Sequence, residues 1–193
     1  MSDELIIKKT SDGSSTIYNK GLDEHYHSVH GAVQESLHVF IKNGIEYFNS
    51  KYPLLEKINI LEVGFGTGLN SILTLKHVQE ISCPVYYTAL EPHPLPMNLI
   101  SKIDFRLKKE DHKIFKISHD INWEELIQVS SNFYLNKMKT TLRDFKNKKT
   151  FQIIYFDAFG PRVEHNLWNI DVFSKIHAPV SYTHLRAHET LDH

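Results

Sequence analysis

The chain has 193 residues, 41% hydrophobic and 23% charged, which suits one globular domain with a core of its own. Lys plus Arg number 22 against 23 Asp plus Glu. That near balance excludes a broadly basic coat for nucleic acid, while a local basic patch stays open. The single cysteine, Cys83, excludes an internal disulfide and a cysteine-based zinc cage, and fits a reducing, cytoplasmic setting. No apolar run approaches the roughly 20 residues that span a bilayer, and the N-terminus has no signal-peptide pattern, so no membrane partner is expected.

Taken in chain order, residues 5–18 (LIIKKTSDGSSTIY) place two short apolar runs around Asp12-Gly13 and predict a β-hairpin. Residues 19–31 are polar and irregular. From Ala32 to Asn49, Val33, Leu37, Phe40, Ile41 and Phe48 recur at helical spacing. Gly44 weakens that helix without ending it, and Tyr52 before Pro53 stops it. INILEV (58–63) reads as a strand buried on both faces. A glycine turn follows, then a helix from Leu69 to Glu80. VYYTALE (85–91) is a second buried strand, and MNLISKID (97–104) a helix followed by basic, polar sequence. Asn122 reads as the cap of a helix in NWEELIQVS. NFYLNKMK (132–139) and FQIIYFD (151–157) read as strands, and HNLWNIDVFSKI (165–176) as a helix that Trp168 helps to pack. Strand and helix alternate, which predicts an α/β fold with a doubly wound, mostly parallel sheet.

The turn after the first buried strand carries three glycines, Gly64, Gly66 and Gly68. Glycines let a backbone approach a ligand closely, and the helix that follows offers free N–H groups. A dinucleotide fingerprint has the spacing G-x-G-x-x-G. Here position 69 is Leu, and the pattern is E-x-G-x-G-x-G from Glu62. That argues against a pyrophosphate ligand and for a plain nucleoside. Glu91 ends the next strand, 23 residues past Gly68, where a carboxylate can accept both hydroxyls of a ribose. S-adenosylmethionine fits this set: its carboxylate could meet the turn N–H groups, and Glu62 could reach its ammonium directly or through water.

Asp157, in YFDAFGP (155–161), stands at the C-terminal end of a buried strand, the edge at which open α/β sheets bind ligands. Its loop resembles in role the Asp-Pro-Pro-aromatic loop of amino-group methyltransferases. A fixed carboxylate there would stabilise the positive charge arriving on an attacking nitrogen and orient its lone pair. Phe159 could stack on a base or pack in the core. Tyr26, Ser28 and Gln34-Glu35 are expected to close one wall of the site. The three histidines of HYHSVH (25–30) have no cysteine or well-spaced carboxylate beside them, so no metal site is expected. The basic residues of 106–116 and 137–149 could touch phosphates, although a solvated face is the commoner meaning of such runs.

Three segments, YHSVHGAVQESLHVFI (26–41), LEVGFGTGLN (61–70) and IIYFDAFGPRVEHNLW (153–168), together give a family resemblance. The chain resembles the methyltransferases that convert 5-aminomethyl-(2-thio)uridine at the tRNA wobble position to its methylaminomethyl form. The glycine segment is common to many methyltransferases; the last segment is the more specific. The resemblance implies a class I, Rossmann-like fold, S-adenosylmethionine as cofactor, and a tRNA anticodon uridine as partner. By position it maps Gly64, Gly66 and Gly68 to the donor loop, Glu91 to the ribose and Asp157 to the acceptor amine. Some members are fused to an FAD-dependent oxidase, and nothing in these residues suggests one. Where an acidic residue often meets adenine, this chain offers Thr140 and Thr141, with Asp144 later. Two rival readings remain: an aminopropyltransferase, disfavoured by the neutral DAFGP loop, and a non-catalytic nucleoside- or RNA-binding module. The expected division is a hairpin and lid segment over 1–31, the methyltransferase domain over 32–176, and a foreign tail over 177–193, because residues 179–190 resemble a translated sequencing adapter. Such a tail would stand in for the last strands, leave the final native strand with an open edge, and make the chain poorly soluble or inactive.

Overall fold

The computed structural model describes residues 4–146, 149–169 and 185–187, the last three by their backbone alone. The predicted hairpin forms: β1 (Leu5–Lys9) and β2 (Ser15–Asn19) pair antiparallel, and a two-residue β3 (Glu24–His25) joins β2. Asp12 holds the turn by accepting bonds from Thr10 Oγ1 at 2.6 Å and Ser14 N at 2.9 Å. Its second oxygen accepts the Gln34 N–H at 3.2 Å, which ties the hairpin to the start of the first helix.

That helical run, α1, covers residues 32–51 as Ala32–Ser36, a π-helical stretch Leu37–Glu46, and Tyr47–Lys51. It ends at Tyr52, as the following proline requires. The central stretch winds wider than an α-helix, an uncommon form at this length. Gly44 lies within it against Tyr155; a Cβ there would stand 3.0 Å from the tyrosine ring.

The main sheet holds β4 (Ile58–Val63), β5 (Val85–Leu90), β6 (Leu126–Ser130), β7 (Phe133–Met138), β8 (Ile153–Phe156) and β9 (Leu185–Ala187) in the order β6-β7-β5-β4-β8-β9. All pairings are parallel except β6 with β7. Three further helices follow their strands: α2 (Leu69–Val78), the single turn α3 (Met97–Ile100) and α4 (Lys109–Asp120). Strand alternation sorts the core into two layers. Ile58, Ile60, Val85, Tyr87, Ile153 and Tyr155 pack under α1, α2 and α4, with Phe40, Ile45, Leu69, Ile72 and Phe115. Leu61, Val63, Leu90, Ile154 and Phe156 point to the other face, where Phe145, Phe151, Leu167 and Trp168 cover them. Among the described residues, then, helices cover one face and loop residues the other. The chain is a mixed α/β structure around a largely parallel sheet, and the two-sided winding expected from the sequence is not seen over these residues.

Several expectations are corrected. Asn122 caps no helix: the segment after it becomes β6, and its amide bonds Glu125 Oε2 at 3.2 Å instead. The polar stretch after 104 contains α4, with Glu110 and Asp111 in its first turn, where the helix dipole favours them, and an ion pair from Asp111 to Lys76 of α2 at 2.7 Å. The helix expected over 97–104 is only one turn. Of the helix expected over 165–176, a 3-10 turn, His165–Leu167, is present; residues 170–176 lie outside the described residues. Trp168 packs edge-on against Phe156 rather than stitching a helix down. The outer edge of β8 is not open: the backbone of Leu185–Ala187 pairs with it in parallel. The rest of the 177–193 segment lies outside the described residues.

Candidate functional site

Strand register builds the site. Val63 pairs with Leu90 on one side and Phe156 on the other, so three parallel strands end level. The residues next in sequence, Gly64, Glu91 and Asp157, therefore emerge side by side at the C-terminal edge of the sheet. Backbone bonds pin them: Gly64 N to Leu90 O at 3.0 Å, Asp157 N to Val63 O at 2.9 Å, and Glu91 N to Met138 O at 2.9 Å.

The glycine turn needs its glycines. Gly64, Gly66 and Gly68 have φ of +92°, +49° and +74°, a region that side chains resist. Gly64 also passes so close to the next strand end that a Cβ would fall 2.3 Å from the Asp157 carbonyl oxygen. Gly68 starts α2 in the left-handed conformation and lies against His119, whose Cε1 would be 2.8 Å from a Cβ. His119 gives its Nδ1 proton to Phe115 O at 2.9 Å, and burial holds it down at about 4, so it packs there as a neutral ring.

A cavity of about 1040 Å³ opens over this edge, ample for a nucleoside-sized ligand. Gly64, Gly66, Glu91, Asp157 and Phe159 line it, and so do Tyr26, Ser28 and Glu35. Thr140, Thr141 and Asp144 stand on its wall as well, with Thr141 Oγ1 donating to Asp144 Oδ2 at 2.7 Å. Glu91 accepts the Gly66 N–H at 2.9 Å through Oε2 and the His93 N–H at 2.8 Å through Oε1. Each oxygen keeps a further lone pair, so the carboxylate is fixed and still able to receive a diol. The Phe159 ring meets Tyr26 edge-on at 4.9 Å, and the Phe159 carbonyl accepts the Trp168 indole N–H at 2.8 Å. Phe159 thus forms a wall of the cavity rather than filling the core.

The N-terminal segment closes the near side. His27 is buried and bonds Thr67 of the glycine turn at 2.6 Å, while Glu35 accepts the Ser28 N–H at 3.1 Å. Arg162, just past the Asp157 loop, donates to the carbonyl of Leu22 at 3.0 Å and to Glu24 Oε2 at 3.1 Å. Of the histidines of HYHSVH, His25 packs on Tyr18 and His27 bonds Thr67, while His30 is exposed, and no group of three or more His, Cys, Asp or Glu is placed to hold a metal ion among the described residues. Nor, among them, is any helix long and apolar enough to cross a membrane.

Three of the residues singled out from sequence do not line the cavity: Gln34, Gly68 and Glu62. Glu62 is fully buried on the helix-covered face. Burial, and next the negative charge of Asp157, push its carboxyl well above the usual range. Two residues that the sequence did not single out belong to the site. Glu164 lines the cavity, its carboxyl raised by burial and then by Glu91. Asn70, on the first turn of α2, donates from one amide nitrogen to Glu62 Oε1 at 3.1 Å and to Asp157 Oδ2 at 2.7 Å. Only its position directly after the glycine turn could have marked it.

No protein-family model matches the chain. The tRNA 5-methylaminomethyl-2-thiouridine biosynthesis bifunctional protein MnmC of Leptospira interrogans is 26% identical over 174 residues, covering 83% of this chain and 26% of that protein. The protein of the same name from Campylobacter fetus is 25% identical over 168 residues, with the same coverage of each. The chain thus spans about a quarter of the length of these curated relatives. The crystal structure of MnmC2 from Aquifex aeolicus superposes with a TM-score of 0.75 at 26% identity, covering 93% of this chain and 58% of that one. The chain is a homologue of the proteins named MnmC, matched over most of its own length in sequence and in fold.

Proposed function

We propose that the chain is an S-adenosylmethionine-dependent methyltransferase of Rossmann-like, class I type. Its acceptor is the aminomethyl nitrogen of a 5-aminomethyl-(2-thio)uridine at the tRNA wobble position. The observation that carries this reading is the juxtaposition of Gly66, Glu91 and Asp157 around one nucleoside-sized cavity. The names of the relatives supply the substrate class. In this reading residues 32–176 form the methyltransferase domain, residues 1–31 its hairpin and lid, and residues 177–193 are foreign to it in sequence, although Leu185–Ala187 pair with β8.

When bound, the cofactor supplies a methyl group on a sulfonium sulfur. The chain's own residues then bind and orient. Glu91 receives the ribose hydroxyls, and Gly64 and Gly66 leave the turn backbone accessible to the amino-acid end. Asp157 faces the acceptor. The Asp157 carboxylate would lower the energy of the positive charge that arrives on the acceptor nitrogen as it takes the methyl group from the sulfonium, which would leave as the neutral thioether. It also orients the amine lone pair. The amine attacks only when unprotonated, so one proton leaves it to solvent before attack, and the product is the methylammonium, with the methyl group in that proton's place. Phe159 and Tyr26 offer aromatic faces to the flipped-out uracil. The acidic rim of Glu91, Glu164 and Asp157 suits a cationic acceptor group.

The test uses this chain and, beside it, a version whose residues 177–193 are replaced by the matching and following residues of the Leptospira relative. Each is incubated with methyl-labelled donor and tRNA that lacks only this methyl. Label in the wobble nucleoside as the methylaminomethyl form is expected from the second version. Folded protein with no label from either would overturn the reading, and full activity with a cooperative melt in the first would overturn the assignment of 177–193.

A further inference from the structure

Beneath the cavity floor lies a buried polar cluster that the proposed methyl transfer leaves unused. Glu62 from β4, Tyr87 from β5, Tyr155 from β8 and Asn70 from α2 meet on the helix-covered side of the sheet. Buried carboxyl groups in such surroundings are costly unless they serve a purpose or are fully paired. Asn70 is 2% exposed and connects this cluster to the cavity through Asp157.

We propose that Asn70 is the positioning residue of the site: its amide, set from below by Glu62, holds the Asp157 carboxylate in the orientation that meets the acceptor amine. The inference rests on Asp157 being the group that meets the acceptor. Asn70 has both amide hydrogens committed, one to each carboxyl group, at 3.1 and 2.7 Å. Turning the amide over would place its oxygen against both acceptors, so the pair of carboxyl groups fixes the amide's direction. The backbone is fixed too, since the Asn70 carbonyl accepts the Thr74 hydroxyl at 2.7 Å. Glu62 in turn cannot swing away: it is fully buried between the β5 and β8 neighbours, Ala89 and Tyr155. Its second oxygen is buried with no hydrogen bond of its own. The charged and titratable groups facing the pair are therefore Tyr87 and Glu91 from the β5 side, Tyr155 from β8, and each other across Asn70. Burial raises the Glu62 carboxyl, and Asn70 gives the shorter of its two bonds, 2.7 Å against 3.1 Å, to Asp157.

The experiment compares wild type with Asn70→Ala and Asn70→Ser, each first shown to melt cooperatively. The carboxyl signal of Asp157 is followed against pH by NMR in aspartate-labelled protein, assigned by its loss in Asp157→Asn. Removing the donor to the ionised form moves the titration midpoint of Asp157 upward by at least about half a pH unit in Asn70→Ala. Methyl transfer in the same variant loses about 10- to 100-fold in kcat, while the KM for the donor changes less than about threefold. An unchanged midpoint or an unchanged kcat in folded Asn70→Ala overturns the inference. If Asn70→Ala does not fold, Asn70→Ser, which keeps one donor in place of two, carries the same two comparisons. If neither the wild type nor the version carrying the Leptospira C-terminal residues transfers a methyl group, the functional reading has failed, and the carboxyl titration alone still decides whether Asn70 holds Asp157.

Discussion

At the scale of single residues, the site is set by the side chain or glycine that comes directly after each strand end. Under the proposed function, replacing Asp157 with Ala removes the carboxylate that meets the acceptor and nothing that the donor requires. Turnover is expected to fall by about 100-fold or more, with donor affinity by calorimetry within about threefold of wild type. Equal loss of both would contradict the assignment. Gly64→Ala is a different kind of change. With φ at +92° and the Asp157 carbonyl where the new methyl would go, it should cost about 1–3 kcal/mol in urea unfolding and abolish donor binding together with it. A fully stable Gly64→Ala protein would show that the turn has room to relax. The glycines, Glu91 and Asp157 were legible in the sequence because each closes a short apolar run, and strand ends in such sheets face one edge. Asn70 was not legible: its partner Asp157 is 87 positions away, and only the pairing of β4 with β8 brings them together. Glu62 was legible as part of the motif and within a run read as buried, but not as sealed away from the cavity, since the run does not say which face the helices will cover.

At the scale of elements, the buried parallel strands were the easiest to read, because β4, β5 and β8 are nearly unbroken apolar runs. The outer elements were harder. The exposed edge strand β6 buries little of its length, so it shows no alternation strong enough to outweigh the cap signal of Asn122. α4 buries chiefly Phe115 and Ser118, too narrow a stripe to stand out from its charges. The lid-like contact between the N-terminal segment and the Asp157 loop depends on Arg162. Its ion pair with Glu24 is largely exposed and contributes little to overall stability, but its bonds to the chain near Leu22 and Asp23 close the cavity wall. In Arg162→Ala, amide hydrogen exchange over residues 20–30 should speed up while the melting temperature stays within a few degrees of wild type. Unchanged exchange there would show that His27 and Thr67 suffice to hold the wall.

At the scale of the whole molecule, burial of titratable groups ties stability to pH. His119 is held at about 4, below its ordinary 6.5, by burial beneath Gly68. Between those values the unfolded chain binds the proton and the folded chain does not. Stability is therefore complete above about 6.5 and is lost as pH falls toward 4. Glu62 acts in the opposite sense: its carboxyl is raised by burial, so the folded state loses stability as pH rises above about 4.5 toward its folded value. Urea midpoints at about pH 7 and pH 5 should differ less in His119→Gln than in wild type, and an equal difference would show that His119 is not the group responsible. These buried groups support one cavity, formed where β4, β5 and β8 end level, and the proposed function stands or falls on whether that cavity takes S-adenosylmethionine. Isothermal calorimetry of this chain and of its Glu91→Ala variant, each titrated with S-adenosylmethionine and with NAD, decides it. Saturable one-to-one binding of S-adenosylmethionine is expected, weakened at least about 10-fold by Glu91→Ala, with no comparable binding of NAD. A cooperatively folded chain that binds no S-adenosylmethionine, or binds NAD as well, would contradict it.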